Sequence, residues 1–174
     1  MRFLADPLRR LVEQPLRLLP TEAVWELHDA ADEHLLATLY CARRSARAIA
    51  GGGTTWTLHV ERTRERRQLV ARDAAGEPAA RYVPGAIHGG RLWAGAGSWG
   101  KLRRTPLRWD ESWGLSVDRE ELVRVWPALP ELGYEIVVGA ACLRRADVSL
   151  LLVPFLCWIV MTEQAVPGPV TVGA

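Results

Sequence analysis

The stretch Val148-Ser-Leu-Leu-Leu-Val-Pro-Phe-Leu-Cys-Trp-Ile-Val-Met161 carries no charge and, apart from Ser149, is apolar on every side. It follows Arg144-Arg145-Ala146-Asp147 and ends at Thr162-Glu163-Gln164. A helix with no polar face belongs either in a membrane or at the centre of a protein. Crossing a bilayer takes about 20 apolar residues, whereas runs of about 10–14 are those of buried core helices. The uninterrupted run from Leu150 to Met161 is of the shorter kind. A helix over 146–164 is therefore expected inside the protein. Asp147 is placed to cap its exposed N–H groups, and Pro154 should kink the first turns or delay the start.

Upstream, back to about Glu22, the pattern is that of short strands. Val24–Asp29 and His34–Cys41 flank Ala30-Ala-Asp-Glu33, a hairpin by length. In Thr54–Glu61, Trp56, Leu58 and Val60 alternate with Thr57, His59 and Glu61, the period of a half-buried strand. Further candidates are Arg44–Ile49, Arg66–Arg72, Pro78–Val83, Gly90–Ala94, Ser98–Arg103, Pro106–Asp110, Trp113–Val117, Glu121–Trp126 and Gly133–Gly139. About twelve strands spaced at 8–12 residues fit an antiparallel barrel or sandwich. The expected fold is mainly β: a closed antiparallel barrel around a buried hydrophobic C-terminal helix. Residues 1–21 read as an N-terminal arm or short helix, because Leu4, Leu8, Leu11 and Val12 recur at helical spacing before Pro15 and Pro20. Residues 22–164 form the barrel, and 165–174 read as a disordered tail.

Composition bounds the function. At 174 residues the chain is one domain with a real core. A net charge of +2 implies no nucleic-acid partner. Cys41, Cys142 and Cys157 are far apart, with no C-x-x-C, which fits a reducing cytoplasm. Gly51-Gly-Gly53 lacks the Lys-Ser/Thr of a phosphate loop and reads as a bend. His28, His34, His59 and His88 lie on separate segments, so neither a metal site nor a cofactor is expected. Ser98, Ser112 and Ser116 sit in no nucleophile elbow, and no catalytic residue is assigned.

Several quoted segments, taken in order, carry a family resemblance: Trp-Glu-Leu-His-Asp29, the strand Leu-Leu-Ala-Thr-Leu39, Trp56-Thr-Leu-His-Val60 and the hairpin from Val70-Ala-Arg-Asp-Ala-Ala-Gly-Glu77. Leu107-Arg-Trp-Asp-Glu-Ser-Trp-Gly-Leu115, Glu121-Leu-Val-Arg-Val125 and the final apolar helix complete the series. The series resembles the tubby C-terminal-like superfamily, which includes LURP-one-related proteins and phospholipid scramblases, and it is most similar to uncharacterised bacterial members. The resemblance implies about twelve strands closed around a C-terminal helix. Tubby domains bind phosphoinositides through surface basic residues, but no position here matches that motif. The acylated cysteine-rich and calcium-binding segments of scramblases have no counterpart.

The basic pairs Arg43-Arg44, Arg66-Arg67, Arg103-Arg104 and Arg144-Arg145 stand out, because 21 of the 22 basic residues are Arg. Consecutive strand residues point to opposite faces, so one member of each pair turns inward unless it lies at a strand end. Arg66, Arg67, Arg103 and Arg104 are the candidate ligand-binding residues, on two hairpins that would form an anion-binding patch. The expected function is that of a non-enzymatic barrel domain, cytoplasmic and peripheral to the membrane, binding an anionic phospholipid headgroup or a protein partner. The alternative is a membrane-associated scramblase-like protein with its helix in the bilayer. An enzyme with its site at the barrel mouth is a third reading.

Overall fold

The structure is a computed structural model and describes residues 12, 15–42, 44–64, 66–85, 89–94, 97–106, 111–128, 133–144 and 151–164. Twelve strands follow one another: β1 (Leu16–Pro20), β2 (Trp25–Asp29), β3 (Leu35–Ala42), β4 (Ser45–Ala50), β5 (Thr55–Arg62) and β6 (Arg67–Arg72). They continue as β7 (Pro78–Pro84), β8 (Gly89–Ala94), β9 (Gly97–Pro106), β10 (Glu111–Val117), β11 (Glu120–Ala128) and β12 (Gly133–Val138). A 3-10 turn at Ala140–Arg144 precedes the helix α1 (Leu152–Gln164). Each strand pairs antiparallel with its sequence neighbours, and β1 closes the barrel on β12 through Leu16↔Ile136 and Leu18↔Tyr134. Closure leaves no unpaired strand edge.

Residues 16–20 are not part of an arm or short helix but form the strand that closes the barrel. Leu16 and Leu18 face inward and Arg17 outward, a period of two too short to show against the helical spacing before it. Pro15 and Pro20 bracket this strand, where a missing N–H costs nothing in the ladder. The Pro106–Asp110 candidate is not a separate strand in its described part: Pro106 is the last residue of the ten-residue β9, and 107–110 lie outside the described residues.

Helix α1 fills the barrel. Every residue from Leu152 to Met161 is buried, in one hydrophobic cluster with the inward residues of the strands. The helix lies closest to β4 and β11. On the β4 side the wall is made of Ala46, Ala48 and Ala50, with Ala37, Ala71 and Ala80 on nearby strands, all buried. Small wall residues leave room for Phe155 and Trp158, which stack with centroids 6.2 Å apart. Burying a large apolar side chain contributes about 1.5–3 kcal/mol, so the helix is a main part of the core rather than an attachment to it.

The described helix starts later than 146. Its first bond runs from Phe155 N to the Leu151 carbonyl, 3.0 Å. Pro154 therefore sits in the first turn, where its N–H would have had no partner. The cap expected at Asp147 and the tail 165–174 lie outside the described residues. Among the described residues no helix is long and apolar enough to cross a membrane.

Candidate functional site

Two polar regions are built on this frame: one at the barrel end where α1 terminates, one on the outer wall of β6–β8.

At the barrel end, four strands hold the end of α1. Arg67, the first residue of β6, places Nη1 3.3 Å from Glu163 Oε1. The Tyr134 hydroxyl on β12 donates to Gln164 Oε1 at 3.0 Å, and Gln164 Nε2 donates to Glu111 Oε1 on β10 at 2.9 Å. Arg104 Nε on β9 lies 2.6 Å from the same Glu111 oxygen, a contact off the N–H axis. The Arg104 contact, helped by Gln164, holds the Glu111 carboxyl below its usual range. Glu163 is shifted the other way, because burial outweighs the attraction of Arg67. The Tyr82 hydroxyl and the Trp25 indole N–H are buried there without a partner among the described residues, and the Trp113 indole N–H is directed to Glu111 in poor hydrogen-bond geometry. Burial raises the Tyr82 hydroxyl far above its normal range. The region is a latch: its cations are already matched by carboxylates.

The outer wall differs. The turn joining β5 to β6 is tied by Thr63, whose hydroxyl donates to the Arg66 carbonyl at 3.1 Å and accepts from the Arg66 N–H at 3.1 Å. These bonds fix the Arg66 backbone, and its side chain is exposed. Alternation then places Gln68 outward on β6, Arg81 and Val83 outward on β7, and Trp93 outward on β8. Arg81 stands directly across from Trp93 in the β7–β8 register. Between them and the turn runs a groove of about 460 Å³, walled by Thr63, Arg66 and Gln68 on one side and by Arg81, Val83 and Trp93 on the other. Pro78 and Ala80 complete its apolar lining.

Glu61, paired across from Gln68 in the β5–β6 register, is engaged. Glu61 accepts from Arg72 Nη2 at 2.9 Å and from Gln68 Nε2 at 2.9 Å. The Arg72 bond is the main reason its carboxyl sits below the usual range, and Arg81 adds a smaller attraction. Among the described residues, no carboxylate lies within ion-pair distance of Arg66 or Arg81. Two arginines thus line one groove with no ion-pair partner among the described residues.

No family model matches the sequence, and no curated protein matches it. The chain is similar in fold to a crystal structure of a protein from Arabidopsis thaliana. The TM-score is 0.55 at 11% sequence identity, over 93% of this chain and 97% of the plant chain. At that identity the likeness extends to the fold alone.

The four arginines expected to act together are divided. Arg66 lines the groove, and Arg67, its neighbour, turns inward to Glu163. Arg103 is exposed on the outer face of β9, across from Gly89 and Gly114, while Arg104 turns inward to Glu111. Arg81 and Trp93 were not singled out among the candidates. Alternation in Pro78–Val83 and Gly90–Ala94 is enough to put them outward, but only the register makes them neighbours.

The cysteines are buried or half-buried, and His28 is engaged. Burial pushes the Cys41 thiol up to about 11 and the Cys157 thiol up to about 12, so neither offers a thiolate nucleophile at neutral pH. His28 is tied to Glu26 Oε2 and to the Glu33 carbonyl, both at 3.0 Å. Among the described residues no three His, Cys, Asp or Glu side chains converge as metal ligands.

Proposed function

We propose that the chain is a non-enzymatic β-barrel domain that binds a phosphate-bearing anion on its outer wall, between Arg66 and Arg81. The observation that carries this reading is the pair of arginines in one groove without an ion-pair partner among the described residues. A guanidinium fork matches phosphate oxygens in geometry and charge. The interior supports it from the other side: with α1 filling the barrel, ligand binding falls to the surface. The similarity to tubby-like domains suggests one source of that phosphate, the headgroup of an anionic phospholipid, and a cytoplasmic protein peripheral to the membrane. A soluble phosphate ester presents the same group. The scramblase-like alternative gains no support, because the apolar helix it would place in the bilayer is packed inside the barrel.

The test is co-sedimentation of the full chain with vesicles, with and without phosphoinositide, at two salt concentrations, alongside competition by soluble phosphate esters. The wild type should bind the anionic vesicles or the soluble ester, and salt should weaken binding, since exposed charges are screened over about 8–10 Å. The double variant Arg66→Gln/Arg81→Gln should lose that binding. Equal binding by both proteins removes the groove from the argument. No binding by either leaves a protein partner as the better reading.

A further inference from the structure

The groove is larger than a phosphate needs. Its volume of about 460 Å³ falls among small-molecule sites, which run from about 300 to 1,000 Å³. Its apolar side chains are Pro78, Val83 and Trp93, with Ala80 at its floor turned toward the core. Whatever is esterified to the phosphate must occupy that apolar part, and a wholly hydroxylated body would cover it without gain. The register narrows the choice further. Because Arg81 and Trp93 are directly opposed on adjacent strands, their Cβ atoms are held about 4.5–5.5 Å apart. A phosphate on the Arg81 fork thus has the indole of the facing residue in the same groove.

We infer that the ligand class of this groove is a phosphate monoester of a planar aromatic ring, with the phosphate between Arg66 and Arg81 and the ring against Trp93 and Val83. This inference rests on the phosphate-binding reading above and adds the ring to it. An indole face favours an aromatic partner over an alkyl chain of similar area, because offset or edge-on ring contacts add to the burial term.

The experiment uses the full-length protein at low salt and three probes: inorganic phosphate, butyl phosphate and phenyl phosphate. Affinities are measured by equilibrium titration for the wild type, Trp93→Leu, Trp93→Phe and Arg66→Gln/Arg81→Gln. Phenyl phosphate should bind about two- to tenfold more tightly than butyl phosphate, the range that ring contacts supply. Trp93→Phe should keep that preference and Trp93→Leu should lose it while still binding both esters. The double arginine variant should bind neither.

Equal binding of the two esters by the wild type, or a preference that survives Trp93→Leu, overturns the ring while leaving the phosphate site standing. Binding that survives the arginine changes, or no binding at all, removes the phosphate site and the ring with it. If Trp93→Leu fails to fold, the indole N–H resonance of Trp93 in the wild type, assigned by its loss in Trp93→Phe, decides instead. Phenyl phosphate should shift that resonance more than butyl phosphate does, and equal or absent shifts overturn the inference.

Discussion

Arg66 and Arg67 are consecutive in the chain, yet they stand on opposite sides of the barrel wall. Arg66 lines the outer groove, and Arg67 reaches the end of the internal helix at Glu163, 3.3 Å away. One strand start thus faces two ways, toward the outer groove and toward the end of the helix. The division has a measurable consequence. Arg66→Gln should lower anion binding with little change in thermal stability, because an exposed side chain without an ion pair contributes little to folding. Arg67→Gln should do the reverse, leaving the half-buried Glu163 carboxylate without its cation. Titration of phosphate esters beside thermal melts separates the two, and a loss of binding in Arg67→Gln at unchanged affinity of Arg66→Gln would interchange the roles.

The helix is the part of the core least able to accept charge. Leu156 is 1% exposed, so Leu156→Asp places an unpaired carboxylate among apolar side chains. The cost is several kcal/mol, comparable with the whole stability of a domain. Leu156→Ala should cost about 2–5 kcal/mol through the cavity it leaves. The aspartate variant is expected to be insoluble or unfolded, and the alanine variant folded with a lower urea midpoint. Recovery of a stable, soluble Leu156→Asp protein would mean that the helix leaves the barrel at little cost.

Gly90 tests the packing of the latch. A Cβ built there would lie 2.3 Å from the Val83 carbonyl oxygen and 2.6 Å from the Tyr82 ring. The first of these is backbone and cannot rotate away. Gly90→Ala should therefore destabilise by at least the 1–3 kcal/mol typical of overpacking. Gly76→Ala, by contrast, meets no atom within 4 Å and carries only the strain of its φ of +84°. Thermal melts of the two variants should rank Gly90→Ala as the more damaging.

How much of this could be read beforehand follows from which interactions are local. The helix was legible because its signal is compositional: an apolar run too short for a bilayer needs an enclosing wall. Strand faces were legible in the same way, since Trp56, Leu58 and Val60 state their alternation within one segment. The closing strand β1 was hidden, because four residues between two prolines carry too little of the alternation to stand against the helical spacing before them. Arg81 and Trp93 were hidden for a different reason. Their proximity is a property of register between β7 and β8, and register depends on turns whose geometry one sequence does not specify. The pairs Arg66-Arg67 and Arg103-Arg104 lie between these cases: alternation turns one member of a pair inward unless it lies at a strand end, but does not tell that Glu163 and Glu111 meet the inward members.

Acid should weaken the fold through some carboxylates and relieve it through another. Glu61 and Glu111 have carboxyls held below their usual range, by Arg72 and Arg104 respectively. A depressed value means that the ionised form is favoured in the folded state, so the stability it contributes is present above the unfolded pKa. That contribution is lost as pH falls through the lower, folded value. Glu163 has the opposite sign: burial raises it, so its contribution is complete below the unfolded value and is lost as pH rises through the folded one. Urea midpoints across pH 3–8 should therefore show two separable effects. Glu111→Gln should flatten the loss at the acid end, and Glu163→Gln should flatten the decline on the other side of the ordinary carboxylate range. A Glu163→Gln protein with the wild-type pH profile would place that side chain in water rather than in the latch.

The strongest test of the architecture is removal of the residues that the sequence presents as an arm. In the barrel, β1 is bonded on both sides, Leu16 to Ile136 and to Asp29, and Leu18 to Tyr134 and to Leu27. Deleting residues 1–21 strips the ladder from one edge of β2 and one edge of β12 at once. It also removes Leu16 and Leu18, both fully buried, from the wall around the helix. Two open edges are templates for pairing with other chains, so the expected product is aggregated or unfolded rather than a trimmed barrel. Deleting only residues 1–14 leaves every one of these pairings in place and should be tolerated far better. Circular dichroism and size-exclusion chromatography of the two truncations decide the matter. If the shorter chain, lacking 1–21, elutes as a folded monomer with wild-type β content, β1 is an accessory and the barrel closes without it.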